Sequence, residues 1–195
     1  QQLIAPKLLW LKQNEKNNFK KIHTIFGSYD FINFKLTGKY SIEHNWALES
    51  GLMDFKKKKF TSDLVKLGSI KLSMLPKIFP SDHILGNISE NLSKELSLDK
   101  NVKVIAGCAD HVVSAFSAGI KKSGDVLLKF GGAGDILIST EKPLNDQRLF
   151  LDFHIIPNLF MPNGCMASTG TMLNWFIKNF LSHSKMPESN IYSYL

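Results

Sequence analysis

Val102-Lys103-Val104-Ile105-Ala106-Gly107-Cys108-Ala109-Asp110-His111 is the stretch on which the rest of the chain turns. Val102, Val104 and Ile105 make a brief apolar run that reads as a buried strand, and Gly107 gives the backbone room to turn sharply behind it. Val112, Val113, Phe116 and Ile120 then carry helical spacing, which puts Asp110 at a helix N-terminus. Unpaired backbone N–H groups at such an end favour an ionised carboxylate, so Asp110 is placed to accept a proton from a bound hydroxyl. The structural alternative is that Asp110 merely caps the helix, since aspartate is a common N-cap.

Downstream, Gly124-Asp125 opens the run Val126-Leu127-Leu128-Lys129-Phe130, and Asp135-Ile136-Leu137-Ile138-Ser139-Thr140 follows a turn made of Gly131-Gly132-Ala133-Gly134. Two apolar runs around a glycine-rich turn predict a β-hairpin. Its tip can present several backbone N–H groups to an anion without side-chain obstruction, although a glycine cluster also suits an ordinary loose turn. The spacing matches neither the Walker phosphate loop nor the dinucleotide fingerprint.

With these segments in view, the sequence resembles the FGGY carbohydrate kinases. Lys7-Leu8-Leu9-Trp10-Leu11-Lys12-Gln13-Asn14 is similar to the core of the family's first signature, and Ala5-Pro6 before it has the xylulokinase form. Asp30-Phe31-Ile32 with Leu36-Thr37-Gly38 resembles a family helix and turn, and Asn45 to Asp54 resembles the segment that closes on an aspartate before a new helix. Gly107 to Gly119 is similar to the element that holds the family's catalytic base. Gly131 to Gly134 resembles the turn that meets ATP phosphates, and Gly170-Thr171-Met172-Leu173-Asn174-Trp175-Phe176 resembles a later family helix. These matches follow one another in the family's order along nearly the whole chain.

The departures are informative. Ile4 stands where the first signature normally has Ser, Thr or Pro, and Gln2 where it has a small or aromatic residue. Gly132 occupies the place of the family threonine in the phosphate turn, and Ala133 that of a frequent serine. With no hydroxyl at Gly132, phosphate contacts there fall to backbone N–H groups. Family members are also much longer, with a phosphate element before the first signature and an adenosine motif after the last helix. The chain, which starts on Gln1, is therefore expected to be a central fragment, inactive as a separate piece.

The resemblance implies an α/β fold of the ribonuclease-H-like, actin-type ATPase kind, two lobes around a cleft, here incomplete. Residues 1–121 would be the later part of the first, sugar-binding lobe and residues 122–195 the start of the second, ATP-binding lobe, with the boundary at Lys121-Lys122-Ser123-Gly124. It implies ATP-dependent phosphorylation of a sugar hydroxyl, on a pentulose such as xylulose, with Asp110 as catalytic base. His111 would bind the sugar, Gly131, Gly132, Ala133 and Gly134 the nucleotide phosphates, and ATP and Mg²⁺ are the implied cofactors, without a protein metal site in this chain. A catalytically impaired sugar-binding or regulatory module is the alternative.

Bulk properties narrow the field further. A length of 195 residues with 44% apolar residues fits one globular domain or parts of two. No apolar run reaches membrane-spanning length and no signal-peptide pattern opens the chain, so a cytoplasmic protein is expected. The net charge of +7 invites a nucleic-acid partner, but it is carried by lysine, with Arg148 the sole arginine, and base recognition leans on arginine's bidentate fork. No specific nucleic-acid or membrane partner is expected, and a homodimer stays open. Cys108 and Cys165 have no metal-binding spacing and read as reduced, buried thiols.

Along the chain, helices are expected over 3–12, within 22–36 after a short strand, over 60–67 and over 92–98. Lysine and asparagine dominate the link between the first two, and Pro76 and Pro80 bracket a loop. Strand pieces are expected at 152–157 and 159–161. Ser168 is a candidate cap for a helix whose Met172, Trp175 and Phe176 form a buried stripe, and His154 reads as a satisfied strand or loop residue.

Overall fold

Helix formers dominate the first segment, and Pro6 falls in the first turn, where no intrahelical N–H is needed. The computed structural model, which describes residues 3–181, accordingly begins with α1 (Ile4–Asn14), seated on the core by Leu8. Gln1, Gln2 and the chain beyond Leu181 lie outside the described residues. The Lys/Asn link is itself a short helix, α2 (Lys16–Lys20). The strand expected before the next helix does not form: residues 22–27 run without a ladder, held by a hydrogen bond from Ile25 N–H to the Met74 carbonyl at 3.0 Å. α3 (Ser28–Thr37) ends where the sequence says it should, on Gly38 at φ 72°, a left-handed cap that glycine adopts without strain.

The chain then forms β1 (Ile42–Glu43), α4 (His44–Glu49), the hairpin β2 (Met53–Asp54) and β3 (Lys59–Phe60), and α5 (Ser62–Leu67). The loop between Pro76 and Pro80 contains β4 (Ile78–Phe79), which pairs parallel with β1. After it come β5 (Ile84–Asn87), α6 (Glu90–Glu95) and β6 (Lys103–Ile105), with β5 and β6 antiparallel. The Val102–Ile105 run, expected to be wholly buried, alternates: Val104 faces the core while Ile105 is half exposed, because the two-stranded ladder covers one face.

Two apolar clusters organise these elements. The first joins Leu8, Ile42, Ala47, Leu52 and Val65 to Phe153 from much later in the chain. The second joins Val112 and Ala115 of α7 (Asp110–Ser117) and Ile120 to Leu137 and Met161. Those last two come from a four-stranded antiparallel sheet of β7 (Val126–Phe130), β8 (Gly134–Ile138), β9 (Phe150–Phe153) and β10 (Phe160–Met166), in the order β7-β8-β10-β9. The hairpin predicted around the glycine turn is β7–β8, in register from Val126↔Ile138 to Phe130↔Gly134. The expected strand over 152–157 stops at Phe153, and His154 to Pro157 form the turn into β10.

The last described helix, α8 (Gly170–Phe176), departs from expectation in two ways. Thr169, and not Ser168, stands at its N-cap. Met172, Trp175 and Phe176 are exposed, and the two aromatic rings instead meet Phe180, at 5.6 and 5.1 Å between centroids. Periodicity marks a helix face as apolar, but it does not supply the surface that covers it.

One side chain ties the early and late segments together. The Asn45 amide donates to the Phe153 carbonyl at 3.0 Å, its oxygen accepts from the Phe153 N–H at 2.7 Å, and the same amide nitrogen lies 3.3 Å from Cys108 Sγ. Asn45 is fully buried, so removing it would leave two buried backbone groups of β9 unpaired. Asn45→Ala in the full-length protein is expected to lower unfolding free energy by about 2–4 kcal/mol, measured by urea denaturation, whereas a loss under about 0.5 kcal/mol would mean that water replaces the amide.

Candidate active site

The site assembles where α4, α7 and the four-stranded sheet converge, and its position follows from how each is anchored. Glu43, fully buried, caps α4 by accepting from the N–H groups of Asn45 (2.8 Å) and Trp46 (3.2 Å), and it also accepts from the hydroxyls of Tyr29 (2.9 Å) and Ser81 (2.8 Å). Asp30, equally buried, accepts from the N–H groups of Gly27 (3.2 Å) and Glu43 (2.9 Å). Burial pushes both carboxyls up, to about 7, against these stabilising hydrogen bonds. Both acids thus spend their oxygens on the scaffold.

Gly107, at φ 82°, makes the turn that the sequence called for. Its N–H donates to the Ser81 carbonyl at 3.0 Å, and Asn33 donates to the Ala106 carbonyl at 2.6 Å, so the approach to α7 is fixed from two sides. Ala109 holds the N-cap position and Asp110 begins the helix proper, which removes the simple capping reading. The Asp110 side chain is fully exposed and accepts from the neighbouring His111 N–H through Oδ1 at 2.7 Å.

A cleft of about 820 Å³ lies against this helix end, lined by Asp110, His111 and Ala133 together with Glu49, Asp152 and Asn163. It therefore brings together the proposed base, its histidine neighbour and Ala133 of the glycine turn, while Gly131, Gly132 and Gly134 are not among the residues that line it. Gly131, Gly132 and Gly134 flank Ala133 at that tip. The tip is tied back by the start of α8: the Thr169 N–H and the Thr171 hydroxyl donate to the Gly132 carbonyl, and the Gly170 N–H and the Thr169 hydroxyl donate to that of Gly131, all at 2.7–2.9 Å. With the carbonyls turned to the helix, the Gly132 and Ala133 N–H groups have no hydrogen-bond acceptor among the described residues. Gly134 is required by packing, because a Cβ there would collide with Thr169 Cγ2. A Cβ on Gly132 would meet nothing closer than 3.8 Å.

Three residues of the site escaped the sequence reading. Asp152, 2% exposed, accepts from His111 Nε2 at 2.9 Å and from the Asn163 amide at 2.6 Å through Oδ2, while its buried Oδ1 has no hydrogen-bond partner among the described residues. Glu49 approaches the same carboxylate, and its carboxyl is pushed up by burial and then by the Asp152 charge. Signals for them existed. Asp152 interrupts the apolar run Phe150-Leu151-Asp152-Phe153, and Glu49 ends α4, the unfavourable end of a helix for an acid. His111 is pushed up to about 9, first by its hydrogen bond to Asp152, against the opposing effect of burial.

Elsewhere the residues behave as follows. His154 is satisfied as expected, through the Ile120 carbonyl at 3.1 Å and the Ile156 N–H at 2.8 Å. Both cysteines are free, but the expectation of buried thiols fails: Cys108 is half-buried and Cys165 exposed on the cleft wall, because β10 turns it outward there. Lys56 and Lys57 lie exposed between β2 and β3, as a solvated lysine loop should. Among the described residues no helix is long and apolar enough to cross a membrane.

Comparison with known proteins adds a family and a fold. The profile of the FGGY family of carbohydrate kinases, N-terminal domain, matches residues 3–117. Xylulose kinase from Staphylococcus xylosus is 29% identical over 180 residues, covering 91% of this chain and 37% of that protein. The crystal structure of xylulose kinase from Rhodospirillum rubrum superposes with a TM-score of 0.90 at 43% identity, covering 95% of this chain and 38% of that one. Plasmodium falciparum glycerol kinase, at 22% identity and a TM-score of 0.78, shares the fold. The fold is thus the ribonuclease-H-like, actin-type α/β architecture of sugar kinases, present in part, and the chain spans somewhat over a third of the length of its curated relatives, 37% of the first.

Two outcomes follow from the geometry. Gly134→Ala is expected to loosen the tip and cost about 1–3 kcal/mol, with faster hydrogen exchange at Thr169 and Gly170, while Gly132→Ala leaves both unchanged; equal effects would contradict the packing account. The folded His111 pKa lies above its unfolded value, so stabilisation by the His111–Asp152 pair is complete below about pH 6.5 and is lost as pH rises through about 9. The stability difference between wild type and His111→Gln, followed by urea denaturation, should accordingly shrink over that window and not grow.

Proposed function

Because the chain belongs to the FGGY family of carbohydrate kinases, we propose that the full-length protein transfers the γ-phosphoryl group of ATP to a sugar hydroxyl, with Asp110 as the general base. The observation that carries this reading is one cleft lined by both an exposed carboxylate at the start of α7 and Ala133 at the tip of β7–β8. A sugar hydroxyl is a poor nucleophile at neutral pH. Removal of its proton by Asp110 lets the sugar oxygen bond to the γ-phosphorus as the bond from that phosphorus to the ADP oxygen breaks, with the electron pair leaving on ADP. Oδ1 of Asp110 is engaged by the His111 N–H, which leaves Oδ2 for the proton.

The tip suits a phosphate chain on the donor side. Gly132 and Ala133 offer two N–H groups without acceptors among the described residues, and the absence of a side chain on Gly132 leaves the approach open. Mg²⁺ carried on the phosphates would neutralise the charge that develops during transfer; this chain's part is to hold the phosphates and to take the sugar proton. Residues 1–121 are assigned to the sugar-binding lobe and 122–195 to the ATP-binding lobe, in keeping with the change from two-stranded pairings to a four-stranded antiparallel sheet at β7.

A pentulose such as xylulose is the proposed substrate, supported by the Ala5-Pro6-Lys7-Leu8-Leu9-Trp10 form and by relatives named xylulose kinase. A second reading, a kinase-like sugar-binding or regulatory module, draws on Gly132 alone, since the hydroxyls near the tip, Thr169 and Thr171, are turned to carbonyls.

The test is a coupled ADP-release assay on the full-length protein against ketoses, polyols and glycerol. Turnover on xylulose is expected, with a fall of at least about 10²-fold in Asp110→Asn while ATP still binds. Substantial turnover in Asp110→Asn would remove Asp110 as the base, and sugar binding without any ADP release would favour the binding module.

A further inference from the structure

Asp110 has an orientation problem that its own helix does not solve. Its side chain stands fully in solvent, and the hydrogen bond it accepts comes from the adjacent backbone N–H of His111. A base must hold its free oxygen within hydrogen-bond reach of the hydroxyl, and a misplacement of about 1 Å costs on the order of 10²-fold in rate. Something else has to fix the carboxylate.

The His111 ring is placed to do so. Its Nδ1 lies 3.5 Å from Asp110 Oδ1, and its Nε2 is 2.9 Å from Asp152 Oδ2. Asp152 is the rigid end of this line: it is 2% exposed, carried on β9, and held through the same Oδ2 by the Asn163 amide of β10 at 2.6 Å. The 3.5 Å separation is an ion-pair distance, of the kind that tightens when a substrate is bound.

We propose that Asp152 is a positioning residue for the base, acting through His111, so that a buried carboxylate on the sheet aims an exposed one at the end of α7. The proposal rests on the reading of Asp110 as general base. Nε2 donates to Asp152 and Nδ1 is turned to Asp110 at ion-pair distance, which gives His111 a duty different from direct hydrogen bonding to the sugar. The ring is cationic in this arrangement, consistent with the upward shift that its Asp152 hydrogen bond produces. The charged groups facing it are Asp110 on its own helix, Glu49 at the end of α4 and Asp152 on β9, so a single cation is shared among three acids. An imidazole protonated on both nitrogens has no lone pair for a metal ion, and with Glu49 protonated the charges of His111 and Asp152 cancel. Glu49 and Asp152 offer carboxylate oxygens within 4.8 Å of each other, and the raised carboxyl of Glu49 can hold the proton that lets the two acids sit together.

The test uses the full-length protein in wild-type, Asp152→Asn, Asp152→Glu, His111→Gln and Asp152→Asn/His111→Gln forms, each checked for folding by circular dichroism. Nitrogen-15 NMR of the ring should find His111 cationic until about pH 9 in wild type, and Asp152→Asn should bring its titration down toward the ordinary histidine value of about 6.5. In the kinase assay, Asp152→Asn is expected to lower kcat about 10–100-fold with the sugar KM changed less than about 3-fold, and to move the alkaline limb of kcat toward neutral pH. Asp152→Glu should recover part of the loss, and the double variant should be no slower than His111→Gln alone. An unchanged kcat, a loss confined to KM, or additive losses in the double variant would overturn the proposal. If the wild type is silent on every sugar, the kinase reading fails by itself. The ring titration still decides the present inference, since a His111 that titrates near 6.5 in wild type, or that ignores Asp152→Asn, overturns it with or without activity.

Discussion

The paired hydrogen bonds between the Asn45 amide and the Phe153 backbone are the constraint on which the site depends. Asn45 lies on α4, which ends on Glu49; Phe153 follows Asp152 on β9; and Cys108, also in contact with Asn45, lies two residues before Asp110. One buried amide thus sets the spacing between the three segments that supply Glu49, Asp152 and Asp110. A buried backbone N–H and C=O accept few substitutes for such a partner, because leaving either unpaired costs the full desolvation of that group. Phe153 adds an apolar lock by packing into the first cluster, in ring contact with His44 at 4.4 Å and with Phe55 at 5.4 Å.

The acids of this chain divide by how many of their oxygens are already spoken for. Asp30 and Glu43 are fully buried, accept from backbone N–H groups and hydroxyls, and hold α3 and α4 in place. Burial also pushes His44 down, to about 4, so it sits neutral beside Glu43. Asp152 and Glu49 face each other across a single imidazole. Glu49 and Asp110 are both exposed at the cleft, but Glu49 lies beside the Asp152 carboxylate whereas Asp110 stands fully in solvent, and Asp110 is the residue proposed to take the proton.

Much of the framework was legible in the sequence, because local rules govern it. Gly38 closes α3, Gly107 turns the chain into α7, and the two apolar runs around Gly131–Gly134 form the hairpin with the tip where the glycines stand. What was not legible depends on partners distant in sequence. Residues 22–27 had strand composition but no neighbouring edge, and the Val104–Ile105 run had apolar composition but cover on one face. Met172, Trp175 and Phe176 formed a true stripe, yet the described residues leave it exposed. Asp152 could not be connected to His111 from a separation of 41 residues, although an aspartate inside an apolar strand asks for a partner. The same limit applied to Asn45, read as part of a motif and found to be a joint between segments 108 residues apart.

One cleft is proposed to hold a sugar hydroxyl at Asp110 and a phosphate at the β7–β8 tip. A crystal structure of the full-length protein with xylulose and a non-hydrolysable ATP analogue tests it most directly. A sugar hydroxyl is expected within about 3.2 Å of Asp110 Oδ2, and phosphate oxygens on the Gly132 and Ala133 N–H groups, at the distances of ordinary hydrogen bonds. A sugar bound away from Asp110, or a nucleotide that leaves the tip untouched, would contradict it.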